Sequence, residues 1–400
     1  MGRTSSRLLA LDVLRGAAVA GMILVTSPGD WGAAYPFLRH AKWNGWTLAD
    51  MVFPAFLFAV GMALALSFPK PLDDPAARGL LWRRIGRRTL ALVALGLVLN
   101  WAMEMGSAVW LHDPGAGTLA HVRIPGVLQR IALCYGIGAA LILATARRDG
   151  AGLWTVNASA IAIAAAVLLI LYWALVILVP VPGFGAGRLD QTGNLAAHID
   201  RAIFTPIHMW RLGSLEWAGP VVFDPEGLLS TLTATVNLLL GILAAREWQR
   251  APDDAAPRIA LAGAVLMAAG LALDPVFVIN KQIWTSSFAL LSGGFSALTL
   301  AALMVALRSD GVVRLVAPLR ILGGNAILAF SVSILAGVLG GVPIVPAAGE
   351  WITPQKWGNT IALSLIPDVH LASLACALAI LALITLALWP LHRRGIHLRL

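Results

Sequence analysis

Apolar positions in this chain gather into long uninterrupted runs separated by short polar connections. Ten runs approach or exceed the roughly 20 residues a helix needs to cross a bilayer. They are 8–27, 48–67, 89–106, 127–145, 154–180, 226–245, 259–278, 287–307, 321–340 and 368–389. The pattern predicts an all-α integral membrane protein of about ten transmembrane helices in one 1–400 domain. The second run starts Thr47-Leu48-Ala49-Asp50 and continues Met51-Val52-Phe53-Pro54. A polar start with an early proline predicts a capped or kinked helix beginning. The first run is long for a signal-peptide core and lacks a small-residue cleavage site, so it reads as an uncleaved helix.

Composition narrows the classes further. Hydrophobic residues make up 59% of the 400 and charged residues 12%, where a soluble domain carries about a quarter charged. A soluble enzyme, a disordered chain and a coiled coil are excluded. The net charge of +9, from 29 basic and 20 acidic residues, raises nucleic acid as a partner, and the distribution answers it. With the N-terminus placed inside, the inner connections hold nineteen Lys and Arg and the outer ones eight. That bias is the positive-inside signal, which puts both termini in the cytoplasm and leaves no call for nucleic acid. Cys134 and Cys376 sit in apolar runs and form no disulfide framework or metal motif.

The longest outer connection, 181–225, is rich in Gly, Pro, Trp and His. Its Phe184, Phe204, Trp210, Trp217 and Phe223 predict a packed loop or lid rather than a disordered one. The glycines of 183–187 follow no strand and so are not a dinucleotide fingerprint. Other chemistries find little support. His392 and His397 lack metal-ligand spacing, Ser214 and Ser286 have no nucleophile elbow, and no Walker sequence is present. No metal is therefore expected.

Ionisable residues in apolar runs are expensive and default to functional candidates. Asp12 and Arg15 lie three apart on the first predicted helix, either as a local ion pair or with Arg15 near an anionic ligand entering from the cytosol. Glu104 and His112 near the third run, Arg123 and Arg130 around the fourth, and Asp274, Asn280 and Lys281 after the seventh are similar cases. Gly323-Gly324-Asn325 opens the ninth run, where small residues permit close backbone approach.

The densest constellation runs from Leu38 to Asp50 and contains Arg39, His40, Lys42, Trp43, Asn44, Trp46 and Thr47. Histidine suits proton transfer near neutral pH and can accept an acyl group. Asn44 and Asp50 are candidates to orient its ring or the acceptor. Trp43 and Trp46 suit stacking on a sugar face, or an interfacial aromatic belt. Taken alone, His40 reads as an interfacial histidine as readily as a catalyst.

These segments resemble the heparan-α-glucosaminide N-acetyltransferase family of membrane acyltransferases, including its bacterial members. The resemblance rests on Leu11-Asp12-Val13-Leu14-Arg15-Gly16, His40-Ala41-Lys42-Trp43-Asn44-Gly45-Trp46-Thr47-Leu48-Ala49-Asp50 and Arg123-Ile124-Pro125-Gly126-Val127-Leu128-Gln129-Arg130. Further along, Asp224-Pro225-Glu226-Gly227, Asn280-Lys281, Trp284-Thr285-Ser286 and Gly324-Asn325-Ala326-Ile327 follow in the family's order. It implies transfer of an acetyl group from cytosolic acetyl-CoA to the amine of a glucosamine-type sugar, with His40 as the catalytic residue. The family often has an Asn just after the first helix. This chain reads Val25-Thr26-Ser27-Pro28-Gly29 there, which leaves Thr26 to take over that contact. Without the large N-terminal lumenal region of the animal enzyme, the chain is expected to be the catalytic membrane core.

On that reading His40, Asn44 and Asp50 are catalytic. Arg15, Arg130, Asn280, Lys281 and Asn325 handle acetyl-CoA, whose phosphates call for basic partners. Arg83, Arg84, Arg87 and Arg88 are further basic candidates in the 68–88 connection, where they also serve as plain topology signals. Trp43, Asp190, Asp224 and Glu226 hold the amino sugar or glycan acceptor, although Asp-Pro-Glu-Gly also reads as a cap for the sixth helix. The expected setting is the bacterial inner membrane, with lipid as partner and a homodimer left open. Two alternatives stay open: an amino-sugar transporter, although no internal symmetry supports it, and an O-acetyltransferase acting on a surface polysaccharide.

Overall fold

A computed structural model describes residues 3–67, 72–111, 118–148, 152, 154–215, 219–347 and 350–396. His112, Trp217 and His397 lie outside the described residues. The helices are α1 (Arg3–Thr26), α2 (Leu48–Leu66), α3 (Pro75–Leu111), α4 (Val127–Thr145), α5 (Ala158–Leu178), α6 (Leu195–Phe204) and α7 (Thr231–Arg250). They continue with α8 (Ala255–Leu273), α9 (Ser286–Ala306), α10 (Asp310–Leu315), α11 (Ala317–Gly324), α12 (Ala326–Gly340), α13 (Pro354–Leu365) and α14 (Val369–Arg393). Two short antiparallel strand pairs, 147–148 with 154–155 and 345–347 with 350–352, and 3-10 helices at Pro36–Leu38, Leu119–His121 and Pro206–His208 complete the described elements.

Among the described residues, eight helices are long and apolar enough to cross a membrane. The count becomes nine when α11 and α12 are taken as one span bent by 90°. The protein is thus an all-α integral membrane protein. The sixth expected run, 226–245, differs from its helix. The helix begins later, at Thr231, because 224–230 is a turn committed to side-chain hydrogen bonds. It then carries Arg246, Glu247 and Arg250 in its last turns, so it falls outside the group that passes on apolarity. The ninth run is broken at Asn325, which separates α11 from α12. The amphipathic α13 lies in what reads from sequence as an outer connection.

Position in the bundle follows from side-chain size. α7 packs on α2 through reciprocal glycines. A Cβ at Gly61 would lie 1.9 Å from Leu238 O, and one at Gly241 would lie 1.9 Å from Phe58 O. Only backbone-to-backbone packing fits there, which is how helices associate without a hydrophobic driving force from water. α2, the most enclosed span, is 72% buried, whereas α5 and α8 are 22% buried. Ile163, Val167 and Ile170 on α5, and Leu261 and Val265 on α8, turn outward at helical spacing. Those faces suit lipid. The enclosed α2 positions the loop that precedes it, and that loop carries His40.

Candidate active site

The α1–α2 connection is fixed by one carboxylate. Asp50 is the third residue of α2 and its side chain is fully buried. Its Oδ2 accepts the Thr47 amide at 2.8 Å, as a capping-box acid does. The same oxygen accepts the Ala41 amide at 3.2 Å, which folds the preceding loop back over the helix start. Its Oδ1 lies 2.7 Å from His40 Nδ1. With Asp50 ionised, Nδ1 carries the proton and donates it, so the lone pair sits on Nε2. The His40 side chain is 40% exposed, so the ring is not sealed by protein. A helix cap thus doubles as the group that sets a histidine tautomer.

A second segment closes on this loop. Gly45, with φ +89°, takes the left-handed conformation that glycine tolerates and donates its amide to Ile279 O at 2.8 Å. Asn280 Nδ2 donates to Asn44 Oδ1 at 3.2 Å. Asn280 also closes its own turn: its amide donates to Thr285 Oγ1 at 3.0 Å, and its Oδ1 accepts the Ile283 amide at 3.1 Å. Asn280 and Asn44 therefore join two loops, and Lys281 beside them is buried. The Lys281 charge lowers the His40 pKa, and burial adds to this. The hydrogen bond and charge of Asp50, and the charge of Glu226, push the other way. The balance favours neutral imidazole, the form that can take a proton.

The third component is an ionic cluster. Arg123 Nε donates to Asp224 Oδ2 at 2.8 Å, while Nη2 reaches both Asp224 Oδ1 and Glu226 Oε2. Asp224 also accepts the amides of Trp210 at 2.8 Å and Glu226 at 2.9 Å. The Arg123 carbonyl and the Pro125 carbonyl are each held by Asn100 Nδ2 at 2.8 Å. The two carboxylates raise the Arg123 pKa against the cost of its burial. Burial pushes Glu226 up, but Arg123, Lys281 and Arg130 outweigh it and hold the carboxyl at about 2. Asp224 is therefore committed to Arg123 and to backbone amides. Of these two acids, Glu226 is the one whose charge acts on His40.

The remaining sequence candidates divide. Trp43 Nε1 donates to Leu189 O at 2.9 Å, and its ring meets Phe223 edge-on at 5.0 Å. This ties the 181–225 segment to the His40 loop. Asp190 is half-buried; it holds Arg188 and the amides of Thr192 and Gly193, so it shapes its own turn. Arg130 is buried, with Nη2 on Gly227 O at 3.0 Å and on Ser230 Oγ. Arg15 and Asn325 lie elsewhere. Arg15 reaches Asp12 at 3.4 Å and Gly323 O at 3.3 Å, and Asn325 Nδ2 donates to Ile396 O at 3.1 Å. The structure thus brings together Arg130, Asn280 and Lys281, and holds Arg15 and Asn325 in a separate group. Thr26 Oγ1 donates back to Met22 O at 2.8 Å, so its hydroxyl serves its own helix.

Asp200 on α6 is a member that the sequence reading does not single out. It is buried, accepts the Leu228 amide at 2.8 Å, and burial pushes it up to about 7. A lone Asp in a long loop gives no pattern to find it by. Its role depends on Gly227, where a Cβ would collide with the Asp200 carboxylate at 1.8 Å.

Residues 7–181 match the family model described as heparan-alpha-glucosaminide N-acetyltransferase, catalytic. That segment contains His40, Asp50, Arg123 and Arg130. The chain is 29% identical over 336 residues to heparan-alpha-glucosaminide N-acetyltransferase of Homo sapiens, covering 74% of this chain and 48% of the relative. It is 27% identical over 324 residues to the protein of the same name from Mus musculus, covering 71% and 47%. The chain spans about half the length of the curated relatives it matches.

Proposed function

We propose that this chain is an acetyltransferase of the heparan-α-glucosaminide N-acetyltransferase kind, a reading supported by its similarity to that family, and that it moves an acetyl group from acetyl-CoA to the amine of a glucosamine-type sugar across the membrane. The observation that carries this reading is the His40–Asp50 pair, with Nδ1 held at 2.7 Å and the side chain 40% exposed.

An amine attacks a thioester only through its free lone pair. Neutral His40 takes the amine proton as the nitrogen bonds to the acetyl carbon. The carbon–sulfur bond then breaks, and the proton passes to the leaving thiolate to give CoA thiol and the N-acetyl sugar. The same Nε2 supports a two-step route, in which the imidazole accepts the acetyl group, releases the thiol and then yields the group to the amine. Asp50 fixes the tautomer in both. Asn44 and Asn280 hold the two loops that face each other at this point.

Sidedness follows the charge bias of the sequence: the inner connections face the cytosol, where acetyl-CoA is found, and His40 faces out. At the start of α3, Arg83, Arg84 and Arg87 are exposed, which suits the phosphates of CoA. The 181–225 segment, tied down through Trp43, serves as a lid over the acceptor, with Asp190 and the neighbouring Glu226 as candidate acids. The setting is a bacterial cytoplasmic membrane.

The test uses purified full-length protein, radiolabelled acetyl-CoA and glucosamine. Labelled N-acetyl sugar from wild type, with His40→Ala lower by about 10²–10⁴-fold, supports the reading. Sugar flux into liposomes with no acetyl transfer overturns it in favour of a transporter, and labelling of hydroxyls alone favours O-acetylation. Rapid quench without acceptor then separates the routes: acetylated His40 marks the two-step path, and its absence marks direct transfer.

A further inference from the structure

Arg130 is enclosed in the protein rather than open to a ligand entering from solvent. It is 1% exposed, and its surroundings are protein on every described side. Its guanidinium lies 5.0 Å from the centroid of the Trp284 ring, a cation–π contact in a site that water does not reach. Nη2 is committed to Gly227 O and Ser230 Oγ. Nε and Nη1 have no hydrogen-bond partner among the described residues, so the ring face and nearby acids carry the rest of the stabilisation. The charges of Glu226, Asp224 and Asp200 act on Arg130.

Trp284 is the unusual partner. It is fully buried and among the largest side chains in the core, yet its φ is +49°. A bulky residue in the left-handed region is a genuine outlier that persists only where its surroundings over-determine it. Here they do. Nε1 donates to Asn237 Oδ1 at 2.9 Å, and the ring meets Phe53 and Phe288 edge-on at 5.4 and 5.3 Å. Phe53 follows Asp50 on α2 by three residues, and Trp284 follows Lys281 by three. The Gly227–Ser230 turn that Arg130 grips follows directly on Glu226.

We propose that Arg130 is a positioning residue for the transfer reaction: it clamps the Glu226 turn and the strained Trp284 loop together, and so fixes Glu226 and Lys281 around His40. The inference rests on the acetyltransferase reading for its kinetic arm only. Three charges act on His40: Lys281 from the 279–285 loop, Asp50 from α2 and Glu226 from the 224–230 turn. Two of the three sit on segments that the Arg130–Trp284 clamp holds.

The test compares wild type, Arg130→Lys, Trp284→Phe and the double variant, each as full-length protein in lipid nanodiscs. One arm measures kcat and KM for acetyl-CoA. The other follows the rate at which diethylpyrocarbonate modifies His40 against pH, read by peptide mass spectrometry, and needs no activity. The expected result is a kcat lowered by about tenfold or more, with KM for acetyl-CoA within about twofold of wild type. The His40 modification midpoint should move to higher pH as the Lys281 loop loosens. Because both variants cut the same clamp, the double variant should lose no more than the worse single one.

A KM for acetyl-CoA raised about tenfold with kcat and the His40 midpoint unchanged would overturn the proposal and make Arg130 a donor-binding group. Additive losses in the double variant would overturn it as well, as would an unmoved midpoint in both single variants. Should Arg130→Lys fail to fold, Trp284→Phe decides alone, since it keeps an aromatic ring and removes only the indole N–H and part of the face. If wild type transfers no acetyl group, the functional reading falls, while the modification arm still decides whether the clamp controls His40.

Discussion

Arg130 and Arg15 both interrupt apolar runs, and the two regions around them are built in opposite ways. Around Arg130 the polar groups are buried and interlocked. Arg123 holds two carboxylates, Arg130 spans a turn and an aromatic ring, and a strained tryptophan is pinned from several sides. Around Arg15 the charge keeps 21% of its side chain exposed and pairs with Asp12, itself 39% exposed. It also donates to the carbonyl of Gly323, at the end of a helix broken by 90°. There the packing is close for a different reason. A Cβ at Gly16 would lie 1.8 Å from Leu319 O, and one at Gly323 would lie 1.9 Å from Asp12 O. The difference teaches that a charge in an apolar run does not by itself mark a ligand. Where it is interlocked it joins segments of the fold, and where it stays part-exposed at a helix break it keeps contact with solvent.

The largest effect expected in this comparison comes from Asp50→Asn. The amide cannot hold the imidazole tautomer as a carboxylate does, so acetyl transfer should fall by about 10³–10⁴-fold, measured with saturating acetyl-CoA and glucosamine. A loss under about tenfold would remove the histidine pair from the mechanism. Next comes Arg123→Met, which leaves Asp224 and Glu226 buried without their cation. Breaking such a pair costs about 3–5 kcal/mol, to be read as a lowered unfolding midpoint in detergent. In wild type, the Glu226 carboxyl lies at about 2 against an ordinary 4.5. Its contribution to stability is complete above the ordinary value and is lost as the pH falls through about 2.

Lys281→Met should act more gently and on pH dependence. Lys281 is the first cause of the lowered His40 pKa, so its removal raises that pKa. The base form is the one present above the pKa, and the acid limb of the rate profile should therefore move to higher pH. A limb that stays in place or moves down would mean that Lys281 does not act on His40. The smallest effect is expected from Arg15→Gln, where a part-exposed ion pair contributes under about 1 kcal/mol. A change in unfolding midpoint as large as that of Arg123→Met would erase the contrast between the two regions.

Much of this arrangement was legible in the chain itself. The spans follow from apolar length, and the His40–Asp50 segment stands out because polar residues crowd the start of an apolar run. The Thr47-x-x-Asp50 spacing already announces a capped helix, and the cap proves to be the group that orients His40. What could not be read was partnership. Nothing local connects Arg123 to Asp224, a hundred positions on, or Arg130 to Trp284. Asn280 pairs with Asn44 only because two loops meet at one end of the bundle. Asp200 gave no signal at all, since its role depends on a glycine on another segment.

The sequence by itself determined the solvent of this protein, its helices and the residues able to do chemistry, because these depend on composition and local spacing. Tertiary structure alone decided which charges face His40 and which remain apart at the broken helix. Coulombic and hydrogen-bonding interactions in a low-dielectric interior depend on distances of a few ångströms between segments. Sequence separation carries no record of those distances.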